Sequence, residues 1–151
     1  MVIITNILIV IATFFAMEGV AWLAHKYIMH GFLWQLHKDH HQPYAEDGVV
    51  QKNDAFFLIF ATPAIISFYF GYADFGFLFW LGLGITLYGI AYFFIHDLFI
   101  HQRMRVLRNS NAKYLKAIRK AHKVHHKYLS KEKGECFGML WAPGKYFKKN
   151  F

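Results

Sequence analysis

The sequence predicts an all-α integral membrane protein. It has three or four transmembrane helices, a histidine-rich site for two metal ions at the cytoplasmic face, and an amphipathic helix in the cytosol. Three observations lead there. Of 151 residues, 56% are hydrophobic and only 17% charged, too apolar for an ordinary soluble domain. Three apolar stretches approach the roughly 20 helical residues needed to cross a hydrocarbon core of ~30 Å. All ten histidines fall into four clusters, none scattered elsewhere.

The first span covers about residues 2–24, a nearly unbroken apolar run. It lacks a basic leading segment and an Ala-x-Ala-like cleavage site, so it reads as a retained helix rather than a signal peptide. Glu18 lies inside it. An ionisable residue within a span either faces a functional cavity or is hydrogen-bonded in helix packing, and the sequence leaves both readings open.

Residues 25–54 are polar, with turns expected at Gly31 and Pro43 and a loop over 42–54. The second span, about 55–73, contains Pro63, which is expected to kink it. A short turn over 71–76 leads to the third span, about 77–95, where Gly82, Gly84 and Gly89 offer close helix approach. Asn109, Ser110 and Asn111 are candidate caps for a helix over about 111–129. There Leu115, Ile118, His122, His125 and Leu129 share one face, and Lys113, Lys116, Lys120, Lys123 and Lys127 lie opposite. The tail, 130–151, shows no period. The length predicts a single domain, 1–151.

Charge sets the expected topology. All 17 Lys and Arg lie at or after Lys26, none in a span or in the 71–76 turn. With three spans, 25–54 and 96–151 share a side, which the positive-inside rule makes cytoplasmic. The same arrangement gathers the four histidine clusters at one face. The basic surface (net charge +8) then faces anionic lipid rather than nucleic acid, for which no recognition motif is present. The lone cysteine, Cys136, excludes an intrachain disulfide and reads as a small buried residue.

Two clusters, His37-Lys38-Asp39-His40-His41 and His122-Lys123-Val124-His125-His126, read His-x-x-His-His. On a helix, residues i, i+3 and i+4 share a face, so three imidazoles could converge on one or two ions. The other two pairs, His25…His30 and His96…His101, are five apart and diverge by roughly 140° on a regular α-helix. The helix should therefore end or distort there. Two octahedral metals have about twelve coordination positions, and ten histidines would leave about two for oxygen, water or a bridge. Glu-x-x-His and His-Glu-x-x-His are absent, which disfavours soluble carboxylate di-iron sites and zinc proteases. Asp39 and Asp97 adjoin candidate ligands and would either orient imidazoles or sit in solvent. Tyr27, Trp34, Tyr92 and Phe94 read as interfacial anchors. Transport is disfavoured because Glu18 alone among acidic and basic residues lies in a span.

The four boxes resemble the membrane-bound di-iron fatty acid hydroxylase/sterol desaturase superfamily, and within it the bacterial beta-carotene hydroxylases. The narrower likeness rests on Ala24-His25-Lys26-Tyr27-Ile28-Met29-His30-Gly31, the 37–41 box, Lys52-Asn53-Asp54, His96-Asp97 with His101-Gln102-Arg103, and Phe137-Gly138 followed by Ala142-Pro143. It extends from the first span to about Pro143. The resemblance implies two iron ions held by His25, His30, His37, His40, His41, His96, His101, His122, His125 and His126. It implies O2 as co-substrate and a ferredoxin with its reductase as electron donor. It also implies hydroxylation of carbon 3 of each beta-ionone ring, taking beta-carotene through beta-cryptoxanthin to zeaxanthin. A bacterial inner membrane would be its setting. The same boxes would serve a fatty acid or sterol hydroxylase or desaturase, or a carotenoid ketolase. A non-enzymatic metal-binding membrane protein is the reading of a different class.

Overall fold

The structure is a computed structural model that describes residues 2–42, 50–104 and 107–148. The turn expected at Pro43 and most of the loop around it lie outside the described residues. Among these the fold is wholly helical. Three helices are long and apolar enough to cross a membrane, over Val2–Phe32, Lys52–Gly71 and Phe77–Ile100.

The first begins as α1 (Val2–Leu23) and continues as a π-helix over Ala24–Phe32. At Gly31 the backbone leaves helical geometry (φ −114°, ψ −124°), and the chain turns into the short α2 (Trp34–His41). A single 3₁₀ turn, Lys52–Asp54, leads into α3 (Ala55–Gly71), which runs on through Pro63. In the connecting turn, Gly76 N–H donates to Asp74 Oδ1 (2.9 Å) and Trp80 Nε1–H to the Phe75 carbonyl (2.8 Å). α4 (Phe77–Phe93) likewise ends in a π-helix, Phe94–Ile100.

α4 is the central helix, packed against both α1 and α3. Two glycines allow this. A methyl group on Gly84 would lie 2.6 Å from Thr13 Cβ, and one on Gly82 would lie 3.2 Å from the Ala64 carbonyl oxygen. The third expected glycine, Gly89, meets nothing within 4 Å and makes no such approach. The α1–α4 contact centres on Met17, Ala21 and Tyr88. Much of the remaining span surface, Ile7, Phe15, Phe57, Ile65 and Phe70 among it, is exposed and apolar. This is the surface a helix presents to lipid while its backbone groups are satisfied internally.

The amphipathic helix, α5, covers Lys113–Lys127. It starts later than the Asn-Ser-Asn cap predicts. Ala112 holds the cap position in extended geometry, and Ser110 Oγ instead accepts the Ala112 N–H at 3.4 Å. Its apolar face (Ala117, Ile118, Ala121) packs on Phe99, Ala142 and Tyr146, binding the end of α4 to the tail. Burying a side chain such as Phe99 contributes about 1.5–3 kcal/mol. The aperiodic tail is thus part of the core. Gly144–Phe147 forms a 3₁₀ turn, and Glu135 accepts from Lys145 Nζ and Tyr146 O–H, both at 2.5 Å.

Candidate metal centre

The histidines meet at one end of the helical bundle, where the π-helical ends of α1 and α4, α2 and α5 converge. They form two adjoining groups. His25, His30, His37, His41 and His125 form one, and His40, His101, His122 and His126 form the other. His96 stands beside the second, its ring centroid 4.6 Å from those of both His40 and His101. The groups touch where His41 stacks on His126 at 4.2 Å.

Each His-x-x-His-His box is split between the groups. His37 and His41 go to the first while His40 goes to the second; His122 and His126 go to the second while His125 goes to the first. The i, i+4 pair stays together because its members lie about 40° apart around the helix, whereas the i+3 residue lies about 60° to the other side of i. The i, i+5 pairs are resolved by distortion, as their spacing requires. In a π-helix the backbone bond closes five residues on, which brings residues five apart onto one side. The bond spanning His96 and His101 is itself of this kind, His101 N–H to the His96 carbonyl at 2.9 Å.

Protons decide what the first group can do. His25 Nδ1–H donates to the Phe137 carbonyl (2.9 Å), and His30 Nδ1–H to that of Leu129 (2.7 Å). His37 Nδ1–H donates to Asn53 Oδ1 (2.7 Å), and His125 Nδ1–H to the Glu135 carbonyl (3.0 Å). All four partners are acceptors, so each neutral ring carries its proton on Nδ1 and a lone pair on Nε2. Those lone pairs face one another. The Nε2···Nε2 separations are 3.0 Å for His25–His37, 3.1 Å for His25–His125 and 3.2 Å for His30–His125.

Converging lone pairs repel unless a cation lies among them. Donors about 2.1 Å from a metal stand about 3.0 Å apart on an octahedral edge and about 3.4 Å apart on a tetrahedral one. Two of the three separations, 3.0 and 3.1 Å, lie at the octahedral edge. In the second group His101–His122 and His122–His126 repeat it, at 2.9 and 2.8 Å. His40 Nε2 and His96 Nε2 are buried without a hydrogen-bond partner, as ligand atoms would be. The donor set fits a metal site.

Burial keeps His37, His40, His41, His101, His122, His125 and His126 neutral at pH 7. It lowers His37 to about 3 against the opposing pull of Asn53. Burial and neighbouring imidazoles lower His101 and His125 to about 2 and His126 to about 4. His40, His41 and His122 move the same way for the same reasons.

Neither aspartate sits in solvent. Asp39 is buried and accepts the Lys52 N–H at 2.6 Å. Asp97 is buried, with Oδ2 3.1 Å from His96 Nδ1 and Oδ1 3.2 Å from Arg103 Nε. Arg103 also donates to Asp54 Oδ1 (2.8 Å), beside the Asn53 that holds His37. One polar chain thus joins both groups. Trp34 and Tyr92 are not simple anchors: their rings lie 5.3 Å from His30 and 5.0 Å from His96. Tyr27 and Phe94 are exposed. Cys136 is half-buried and outside both groups.

Sequence reasoning missed the supports supplied by the chain after α5, which ends at Lys127 and so leaves Leu129 outside the helix expected to hold it. Leu129, Glu135 and Phe137 contribute main-chain carbonyls, which have no side-chain signature. It also missed Asn53 and Arg103 as supports, although both lie in motifs it quoted. Glu18 proves to be a packing residue. Its Oε1 accepts the N–H groups of Met139, Leu140 and Trp141 (2.9, 2.9 and 3.1 Å), and its Oε2 accepts the Tyr88 O–H (2.8 Å).

The fatty acid hydroxylase family profile matches residues 10–143. The chain is 42% identical to a beta-carotene hydroxylase of Pantoea ananas over 91% of its own length and 78% of the relative's. Against a beta-carotene hydroxylase of a Paracoccus species the identity is 39%, over 92% of this chain and 85% of the other. A chloroplastic beta-carotene 3-hydroxylase of Arabidopsis thaliana is 38% identical over 84% of this chain and 42% of its own. No solved structure matches the chain. The matched region contains every histidine of both groups, and on this evidence the chain belongs to the fatty acid hydroxylase family, in the branch of the beta-carotene hydroxylases.

Proposed function

We infer that this chain, a single domain over 1–151, is a di-iron monooxygenase. It hydroxylates carbon 3 of the beta-ionone rings of beta-carotene, giving beta-cryptoxanthin and then zeaxanthin. One atom of O2 enters the C–H bond and the other leaves as water, with two electrons and two protons consumed. The observation that carries the reading is the convergence of Nε2 lone pairs at octahedral-edge spacing in a relative of beta-carotene hydroxylases. The ten histidines would hold the two irons. When bound, the irons supply the oxygen activation that an unactivated C–H bond demands.

The protein's own part is to hold and to shield. Acceptors on Nδ1 fix four imidazoles with their lone pairs inward. The buried Phe137 ring closes over His25, His30 and His125 at 5.6, 5.3 and 5.0 Å and keeps water from them. An open cleft of about 430 Å³, lined by His30, Gly31, Trp34, Gln42, Leu129 and Ser130, meets the first group at His30. Its volume suits a cyclic end group. The site and C-terminus lie on the cytoplasmic side of a bacterial inner membrane, as the basic residues direct. The substrate comes from the lipid, and electrons come from a ferredoxin and its reductase, with Lys116, Lys120 and Lys123 as an acid-seeking surface.

Expression in cells that accumulate beta-carotene tests this. Zeaxanthin should appear, and purified protein should carry about two irons per chain. Unchanged beta-carotene with iron-loaded protein would shift the substrate to another lipid.

A further inference from the structure

A carboxylate deep in the first span is tied to a segment 121–123 residues away, and that segment carries two of the carbonyls that orient histidines. Glu18 Oε1 receives three consecutive backbone N–H groups, those of Met139, Leu140 and Trp141. Its other oxygen receives Tyr88 from α4. Gly138 makes this seating possible, since a methyl group there would fall 2.5 Å from Glu18 Oε1. Immediately before it, Phe137 accepts from His25 Nδ1–H, and two residues earlier Glu135 accepts from His125 Nδ1–H.

We propose that Glu18 is a positioning residue for the five-histidine group: it anchors segment 135–141 and thereby holds His25 and His125 with Nε2 facing inward. This rests on the metal reading above. A single oxygen shared by three N–H groups fixes both the height and the rotation of the segment. Charge-assisted bonds of this kind are roughly twice as strong as neutral ones. Within Val2–Leu23, Glu18 is the side chain that hydrogen-bonds the segment among the described residues. Among the described residues no hydrogen bond joins the second histidine group to this segment, so the effect is expected to fall on the first group.

That asymmetry separates positioning from general loosening. In Glu18→Gln the amide oxygen still accepts, but without charge, and the amide nitrogen cannot accept from Tyr88. Iron-loaded protein in detergent, challenged with a chelator, should release one iron per chain about tenfold faster than the parent. The second iron should leave at the parental rate.

A second readout needs no metal. Cys136, the only cysteine, lies within the anchored segment, half-buried. Burial raises its thiol to about 11, so maleimide labelling of the metal-free parent is slow. Glu18→Gln should label several-fold faster. If that variant fails to insert, Tyr88→Phe removes one donor of the four and should move both readouts the same way by a smaller factor.

Unchanged Cys136 labelling overturns the proposal whatever the iron does. Equal acceleration of both irons also overturns it, since that is structural loosening. Faster labelling of the variant, with a parent that takes up no iron, supports the seating and overturns the metal reading.

Discussion

Replacing Asn53 with leucine removes the acceptor that fixes the proton of His37. The two side chains share the same branched heavy-atom skeleton, so the buried site stays filled. The bond lost is short, 2.7 Å, and both partners are buried. Two outcomes are open to His37, and both weaken the site. If the proton stays on Nδ1, a buried N–H is left without a partner, at about 1–3 kcal/mol. If it moves to Nε2, it displaces the lone pair that faces His25 and His41, each 3.0 Å away. Loss of a support of this kind lowers metal affinity about 10- to 100-fold, or about 1.4–2.8 kcal/mol, the same range reached independently. The assay is competition with a graded set of chelators on purified protein, with Asn53→Asp as the control that retains an acceptor. Leucine should lose iron affinity by at least about tenfold and aspartate by much less. A folded leucine variant with affinity within about twofold of the parent would refute a supporting role for Asn53.

Arg103→Lys should lower iron content and melting temperature together, because an ammonium cannot span Asp54, Asp97 and Gln51 as the guanidinium fork does; retained iron at parental stability would contradict the bridge. Gly84→Val should destabilise by about 1–3 kcal/mol through overpacking against Thr13, whereas Gly89→Ala, in open space, should be neutral or stabilising by up to about 1 kcal/mol. Melting curves in detergent compare the two, and equal shifts would remove the case for a close α1–α4 contact at Gly84. Metal-free protein should lose stability as pH falls below 6.5. There the unfolded histidines gain protons that folded His126 (about 4), His37 (about 3), His101 and His125 (about 2) refuse. Above 6.5 neither state is charged and the effect vanishes. Each such histidine contributes at most about 1.4 kcal/mol per pH unit, so the four cost on the order of 5 kcal/mol at pH 5.5. A melting temperature that stays flat from pH 7.5 to 5.5 would show that the rings titrate freely.

Much of this architecture was legible in the sequence because hydropathy and spacing are written in side chains. The spans follow from apolar runs long enough to cross a bilayer. The i, i+5 pairs announced a distortion, and the helices are π-helical at both places. The division of each His-x-x-His-His box between two groups was not legible. Three rings on one face are compatible with one ion or two, and the choice depends on which neighbours approach from each side. The chain after α5 was opaque for a different reason. Its contribution to His25, His30 and His125 is made by carbonyl oxygens, which every residue possesses. Glu18 was visible as an oddity, but its partners are main-chain N–H groups more than a hundred residues away. The cap at 109–111 misled because Asn and Ser also stabilise turns, and here the helix begins after them at Lys113.

The two histidine spacings turn out to be one measure taken on two rulers. Ring centroids are 4.7 Å apart for His37–His41 and 4.5 Å for His122–His126, four residues apart on α-helix. They are 5.1 Å apart for His25–His30 and 4.6 Å for His96–His101, five residues apart on π-helix. Every pair is separated by a single turn of whatever helix carries it. The number of residues between two rings therefore encodes the helix type, and the two change together. Deleting one residue between His25 and His30 would cancel the extra residue of the wide turn and let an α-helical turn deliver the same pair. Deleting one between His37 and His41 has no such compensation and would throw the rings apart.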